Sequence, residues 1–374
     1  MRVGICCYPT YGGSGAVATE LGLSLANAGH EVHFVSYARP ARLTGFHPRV
    51  TFHRVTVTPY PLFKYPPYDL ALASLLRDVA ESRDLDVLHV HYAIPHAVSA
   101  ILARDMLGTR RPAIVTTLHG TDITIVGADR AYFRPTLYGI ERSDAVTTVS
   151  QWLRQETLRF FRPSRAVEVI PNSVDVARFR PSEDRNLRCA VTTPGEFVLS
   201  HVSNFRPVKR VADVVRIFAG VAAAVPARLL LAGDGPDIGA AREAAEACGV
   251  AERVHFLGEQ EDVERVYQAS DLFLLPSEHE SFGLAALEAL ACGVPVVGCR
   301  SGGLPEVVRD GETGFLVEDG EVDVAVRRCL ELLRNCERRA EFGRAAREDA
   351  VRRFAEPDVV ARYVETYERA IASR

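Results

Sequence analysis

The sequence predicts an α/β protein built as two parallel-sheet domains, and three observations carry that expectation. The chain has 374 residues, more than the roughly 250–300 at which a single hydrophobic core stops growing. Short apolar runs alternate with amphipathic stretches along the whole length, the pattern of strands buried on both faces and covered by helices. About a dozen such strands exceed one ordinary sheet, and a polar stretch at 171–196, punctuated by Pro171, Pro181 and Pro194, interrupts the alternation. The expected domains are 1–170 and 171–356, with a terminal segment, 357–374, able to pack back on the first.

Taken in order, the first half offers strands at 2–8, 31–37, 52–58, 86–91, 113–118, 145–149 and 167–170, with helices at 14–28, 68–83, 96–107, 131–142 and 151–161. The second half restarts with strands at 197–202, 228–232, 254–257, 271–275, 295–298 and 315–317. Its helices fall at 211–224, 238–248, 261–269, 282–291, 322–335 and 337–354. The runs Phe-Val-Leu-Ser-His-Val at 197–202 and Asp-Leu-Phe-Leu-Leu at 271–275 are typical: apolar throughout, as strands covered on both faces must be. A last amphipathic helix begins at Pro357, a residue suited to a first helical turn.

Composition narrows the function. With 44 basic and 48 acidic residues the formal charge is −4, which argues against nucleic-acid binding by bulk charge. Hydrophobic residues at 47% and charged residues at 25% are the globular norm. No run reaches the roughly 18 apolar residues of a membrane span. The opening Met1-Arg2-Val3-Gly4-Ile5 has no signal-peptide layout, so a cytoplasmic enzyme or binding protein is expected. Eight cysteines, at 6, 7, 189, 248, 292, 299, 329 and 336, include no C-x-x-C pair. They read as reduced, small apolar residues rather than a disulfide framework or zinc site.

The chemistry-bearing motifs share one location, just past the carboxyl ends of expected strands, where open α/β sheets bind ligands. Two domains facing each other would line an interdomain cleft with them. Gly12-Gly13-Ser14-Gly15 is a strand-to-helix turn that lets backbone approach an anion. It matches neither a dinucleotide nor a P-loop fingerprint, and a plain tight turn is the competing reading. Glu280 and Glu288 flank a helix start at Phe282, Gly283 and Leu284. Free N–H groups there suit phosphate and the carboxylates suit sugar hydroxyls, so the set fits a sugar nucleotide. An N-cap followed by an exposed glutamate is the alternative. Arg206, Lys209 and Arg210 could neutralise a diphosphate leaving group, or form a solvated loop. His119, at a strand end, could touch a reacting sugar or move a proton, or be structural.

Other patterns read as structural. His89-Val90-His91, with Tyr92 and His96 following, puts two histidines on one strand face without a suitable third ligand, so no metal site is assigned. Asp84-Leu85-Asp86 imitates a metal-binding D-x-D but precedes its strand, the wrong end for a ligand. The 151–161 helix mixes Trp152 and Phe160 with arginines and reads as core-facing rather than membrane-surface. The arginines of 327–353 alternate with glutamates, a solvated face.

Together these residues resemble the retaining glycosyltransferases of family 4, whose GT-B architecture is two Rossmann-like domains facing an interdomain cleft. The specific elements are Glu280-x7-Glu288, the following Ala291-Cys-Gly-Val-Pro-Val-Val, Gly302-Gly-Leu-Pro-Glu306 and Ala232-Gly-Asp-Gly-Pro236. Within that family, Cys7-Tyr-Pro-Thr-Tyr-Gly-Gly-Ser-Gly15, Tyr65-Pro-Pro-Tyr-Asp-Leu-Ala-Leu-Ala-Ser74, His89-Val-His-Tyr-Ala-Ile-Pro-His96, Thr116-Thr-Leu-His-Gly-Thr-Asp-Ile-Thr124 and His201-Val-Ser-Asn-Phe-Arg-Pro-Val-Lys-Arg210 resemble members that join N-acetylglucosamine to L-malate, the first step of bacillithiol synthesis.

The resemblance implies UDP-GlcNAc as donor, L-malate as acceptor, an α-linked product with retained configuration, and neither cofactor nor metal. It assigns Glu288 to the ribose, Glu280 to the donor sugar, Arg206 and Lys209 to the diphosphate, and His119 to the reacting side of the sugar. Gly13, Ser14, Gly15 and the N–H groups of Phe282, Gly283 and Leu284 assist. Many family members carry arginine where this chain has Asn204, and Arg206, two residues on, is taken to replace it. Ser14, Tyr92, Thr121 and Arg206 are the candidates for malate. No stable membrane association is implied, and the pattern is compatible with a homo-oligomer. Alternatives are a family 4 enzyme with another small acceptor, a UDP-sugar epimerase of the same fold, and a catalytically idle nucleotide-sugar binder.

Overall fold

Among the described residues, thirteen short strands make two separate sheets, each wound the same way. The structure is a computed structural model that describes residues 1–374 except Tyr11, Arg110, Ile125, Ala128 and Arg185. Tyr11 belongs to the Cys7–Gly15 stretch and Arg185 to the 171–196 linker, and these two positions lie outside the described residues. The described chain divides into two compact units, Met1–Asn172 with Glu356–Arg374, and Ser173–Ala355.

In the first unit, β1 (Arg2–Cys6), β2 (Glu31–Ser36), β3 (Val50–Arg54), β4 (Val87–His91), β5 (Ala113–Leu118), β6 (Ala145–Thr148) and β7 (Val167–Val169) pair in the order β3-β2-β1-β4-β5-β6-β7. Every pairing is parallel, with Val3 opposite Val32 on one side and Val87 on the other. Alternation along the strands separates two cores. Val3, Ile5 and Val87 join Leu25 of the helix Ser14–Asn27 and Tyr363 and Tyr367 of the last helix, Glu356–Ala372. Cys6, Leu88 and Val90 join Leu72, Leu76 and Ile101 from the helices Tyr68–Ser82 and Val98–Leu107.

The second unit has β8 (Phe197–Val202), β9 (Ala227–Ala232), β10 (Val254–Gly258), β11 (Leu272–Leu275), β12 (Val296–Cys299) and β13 (Gly314–Val317), in the order β10-β9-β8-β11-β12-β13. These strands too are all parallel. Its larger core joins Leu199, Leu229, Leu272 and Phe315 to Val214, Phe218, Cys329 and Leu332 on the covering helices. The chain enters and leaves this unit side by side: Val174 bridges Ala355, and its N–H donates to the Phe354 carbonyl.

Several expected boundaries shift. β1 ends at Cys6 rather than at residue 8, because Cys7 leaves the ladder while its carbonyl accepts the Ser36 hydroxyl. β3 spans Val50–Arg54, not 52–58, since only those residues pair with β2. Short helices at Thr121–Thr124, Asn186–Val191 and Leu304–Val307 fill stretches read as loop. Of the cysteines, 6, 7, 292, 299 and 329 are buried as small apolar residues, whereas 189, 248 and 336 are exposed and are not packed that way. Asp84 and Asp86 clamp the starts of strands: Asp86 accepts the Arg2 N–H at 2.8 Å and Asp84 pairs with the Arg2 guanidinium at 2.6 Å.

Candidate active site

Both sheets reverse their winding between two central strands, β1 and β4 in the first unit, β8 and β11 in the second. At such a point the loops diverge to opposite faces and leave a crevice at the carboxyl edge. The candidate residues lie on these loops and, for His119 and Thr121, on the loop after the neighbouring strand β5.

In the second unit the loop after β8 carries Asn204, Arg206 and Lys209, and the loop after β11 carries Glu280. Lys209 Nζ donates to Glu280 Oε1 at 2.6 Å. The Glu278 N–H donates to the Val208 carbonyl at 2.9 Å, which zips the two loops together. Glu280 is 8% exposed and Glu288 3%, and carboxylates so buried need partners. Glu288 Oε2 accepts the Tyr267 hydroxyl at 2.9 Å. The helix carrying Glu288 is Leu284–Ala291, so Phe282 and Gly283 precede it rather than open it. Gly283 caps it at φ 99° and, being glycine, supplies no side-chain cap to the first-turn N–H groups. A Cβ there would also lie 2.7 Å from the Leu304 side chain, so the position demands glycine twice over.

The three cations of this loop separate. Arg210 is committed to Asp319 at 3.0 Å and Asp213 at 3.6 Å. Arg206 is exposed, with no described residue engaging its guanidinium. Asn204 is exposed as well, and its carbonyl backs Gly235, where a Cβ would come within 2.1 Å. The Gly233-Asp-Gly235 motif thus lets the loop after β9 lie against Ser203 and Asn204. Beneath it, His201 donates from Nδ1 to the Leu274 carbonyl (2.9 Å), and its Nε2 accepts the Ser203 hydroxyl (2.8 Å). Burial, reinforced by the Lys209 charge, pushes its pKa down to about 4, so it is neutral at pH 7.

In the first unit Gly13 caps the helix Ser14–Asn27 at φ 60°, again with no side-chain cap. Gly15 is there for space: a Cβ would stand 2.6 Å from the carbonyls of Tyr8 and Thr10. The Ser14 hydroxyl, 8% exposed, and the half-buried Thr121 hydroxyl are engaged by no other described residue. Tyr8 packs edge-on against Tyr92 at 5.3 Å, and Tyr92 meets His119 at 5.3 Å, so the glycine turn, Tyr92 and His119 form one wall. Tyr92 sits at φ 88°, a strained setting for a non-glycine residue of a kind that gathers at functional sites.

His119 Nε2 bonds His91 Nδ1 at 2.8 Å, and His89 bonds the Tyr367 hydroxyl and the Thr117 hydroxyl, each at 2.7 Å. Burial lowers His119 and His89 to about 3 and His96 to about 4. His119 is therefore a neutral imidazole, a hydrogen-bonding group rather than a cation, at physiological pH. His89 and His91 do share a face, and its partner is the last helix. No group of three His, Cys, Asp or Glu side chains among the described residues could hold a metal ion.

Four residues escaped sequence reasoning as members of the site. Tyr267 reads as an apolar helix position, and only folding brings its hydroxyl to Glu288. His201 reads as a strand residue, and Tyr8 as part of the motif around the glycine turn. Asp122 follows His119 by three residues, a spacing at which a side chain can reach back to cap a turn. That spacing was the available signal.

Two parallel sheets of the doubly wound type, with the candidate residues gathered at their carboxyl edges, make the GT-B architecture of glycosyltransferases. The comparisons agree. Residues 186–349 match the family described as glycosyl transferases group 1, and residues 11–178 match glycosyltransferase family 4. The chain belongs to family 4 and is a glycosyltransferase. Within it the chain is 45% identical to N-acetyl-alpha-D-glucosaminyl L-malate synthase of Bacillus anthracis, over 98% of this chain and 96% of that protein. A D-inositol 3-phosphate glycosyltransferase of Mycobacterium marinum is 32% identical over 83% of this chain and 71% of its own length. In fold, sucrose-phosphate synthase from Thermosynechococcus elongatus matches with TM-score 0.83 at 20% identity, covering 100% of both chains. Anabaena Alr3699/HepE in complex with UDP-glucose matches with TM-score 0.82 at 22% identity, covering 98% of this chain and 99% of that one. No helix among the described residues is long and apolar enough to cross a membrane.

Proposed function

We propose that this glycosyltransferase moves N-acetylglucosamine from UDP-GlcNAc to the hydroxyl of L-malate with retention at the anomeric carbon, giving GlcNAc-α-malate and UDP as the first step of bacillithiol synthesis in the cytoplasm. The observation that carries this reading is the near full-length likeness to an L-malate synthase, joined to a second unit whose Lys209–Glu280 pair and buried Glu288 suit a UDP-sugar.

The chemistry follows from charge. As the glycosidic bond to phosphate breaks, negative charge grows on the β-phosphate, and preorganised donors there lower the barrier. Arg206 has no competing partner and meets that charge first. Lys209 exchanges part of its contact with Glu280 for phosphate, which frees a Glu280 oxygen for a sugar hydroxyl. The helix starts at Leu284 and Ser14 present backbone N–H groups suited to an anion. Glu288, oriented by Tyr267, accepts the ribose hydroxyls. Neutral His119 hydrogen-bonds the donor sugar without adding a cation beside the oxocarbenium-like carbon. Malate's carboxylates meet Ser14, Tyr92, Thr121 and Arg206, and its hydroxyl attacks the face the phosphate leaves, which itself takes the proton. This reading calls for no metal ion, because the diphosphate charge is met by side chains and helix ends. It calls for no nucleic acid or membrane.

The test mixes purified protein with UDP-GlcNAc and, separately, L-malate, inositol 3-phosphate or no acceptor. The reading predicts GlcNAc-malate by mass spectrometry and an α-anomeric proton coupling by NMR. Transfer to inositol phosphate alone would move the chain to the activity of its 32% identical relatives. Epimerised UDP-sugar without acceptor would make it an epimerase, and UDP binding without turnover an idle binder.

A further inference from the structure

We propose that Asp122 is a positioning residue for glycosyl transfer: its carboxylate staples the loop after β5 to the loop after β4 and thereby holds His119 and Tyr92 in working geometry. The inference rests on the glycosyltransferase reading of this wall and adds a residue to it.

The geometry is specific. Asp122 is 2% exposed. Its Oδ1 accepts the N–H groups of His119 at 3.2 Å and Gly120 at 3.0 Å, and its Oδ2 accepts the Ala93 N–H at 3.1 Å. Ala93 follows the strained Tyr92, whose own N–H is fixed to the Thr117 carbonyl at 2.9 Å. One side chain therefore ties together the backbones beneath both ring partners of the wall. Only the ionised carboxylate has acceptors on both oxygens. A protonated carboxyl, or an amide, turns one of them into a donor facing an N–H.

The groups around Asp122 leave the carboxyl as the one that titrates near neutrality. Around it are His119 on its own loop, His91 at the end of β4, and Tyr92 and His96 from the segment after β4. The helix Gln151–Phe161, packed on Thr121–Thr124, brings Arg154, Glu156 and Arg159. Arg154 is spent on the Val167 carbonyl, and Glu156 pairs with Arg159. Burial raises the Asp122 pKa to about 6 against the lowering effect of its N–H bonds. His96 and His119, which ordinarily titrate near there, are pushed down to about 4 and 3, and His91 well below its usual value.

The test has two arms. In the wild type, kcat should fall on acidification with a midpoint near pH 6. Asp122→Asn should lower the plateau by about 10²-fold, the cost of misplacing a catalytic geometry, abolish that limb and leave KM for UDP-GlcNAc unchanged. A variant that keeps the limb and the wild-type kcat overturns the proposal. The second arm needs neither acceptor nor turnover. In histidine-labelled wild-type protein, the His119 ring protons, assigned with His119→Gln, should shift through pH 6 while the ring nitrogens stay neutral. Flat shifts through that range overturn the proposal. If no sugar reaches malate, this arm still decides on the staple, and only the functional reading falls.

Discussion

At the scale of single residues, the second unit sets two charged groups against one another so that a ligand can redistribute them. Lys209 and Glu280 satisfy each other at 2.6 Å, and in the proposed reaction a diphosphate takes over the lysine. Lys209→Ala should cut kcat by about 10²–10³-fold, the usual cost of losing one preorganised donor at a developing anion. Circular dichroism should report an unchanged fold. Tyr267→Phe removes the hydroxyl held by Glu288 and leaves a buried carboxylate short of a donor. It should destabilise the unit by about 1–3 kcal/mol, read by urea denaturation, and raise KM for UDP-GlcNAc more than it lowers kcat. The glutamates and cations of this site were legible because they cluster in sequence with a helix start and a strand end. Tyr267 and Asp122 were not, because a tyrosine hydroxyl or an aspartate three residues from a histidine acquires its meaning only from a distant partner.

Elements place these residues, and glycines set the element boundaries. Gly15 lies where Tyr8 and Thr10 carbonyls cross the helix start, 2.6 Å from any added Cβ. Gly15→Ala should push that crossing apart and cost about 1–3 kcal/mol as an overpacked position. A thermal melt should show the loss, accompanied by weaker malate turnover. Gly12→Ala has open space around it and should be nearly silent, so the motif divides into an essential and a dispensable glycine. The strands were legible because fully buried parallel strands are continuous apolar runs. The short helices Thr121–Thr124, Asn186–Val191 and Leu304–Val307 were not, since one turn leaves no periodicity to read.

On the scale of the whole molecule, the last helix, Glu356–Ala372, returns to the first unit and seals its core with Val359, Tyr363 and Tyr367. Its amphipathic pattern announced a helix, and contacts such as His89–Tyr367, 278 residues apart in sequence, show which core it closes. Acid should unlock this region. Imidazoles whose folded pKa lies below the ordinary 6.5 stabilise the fold fully above pH 6.5, and that contribution is lost as pH falls toward the folded values. His89, His96 and His119, with folded values of about 3, 4 and 3, all act in this direction. Asp122, raised to about 6, acts oppositely: its contribution is full below the ordinary carboxylate value and lost as pH rises through 6. Three imidazoles outweigh one carboxyl, so thermal midpoints should fall steadily from pH 7 to pH 4. A flat profile would mean that these rings are solvated.

The claim on which the account turns is that the pyrophosphate of a sugar nucleotide seats at the β8–β11 switch point. A crystal structure of the protein soaked with UDP measures this directly. The account predicts the β-phosphate against Arg206, Lys209 and the N–H groups at Leu284, with the ribose on Glu288. UDP bound away from these four residues would contradict it.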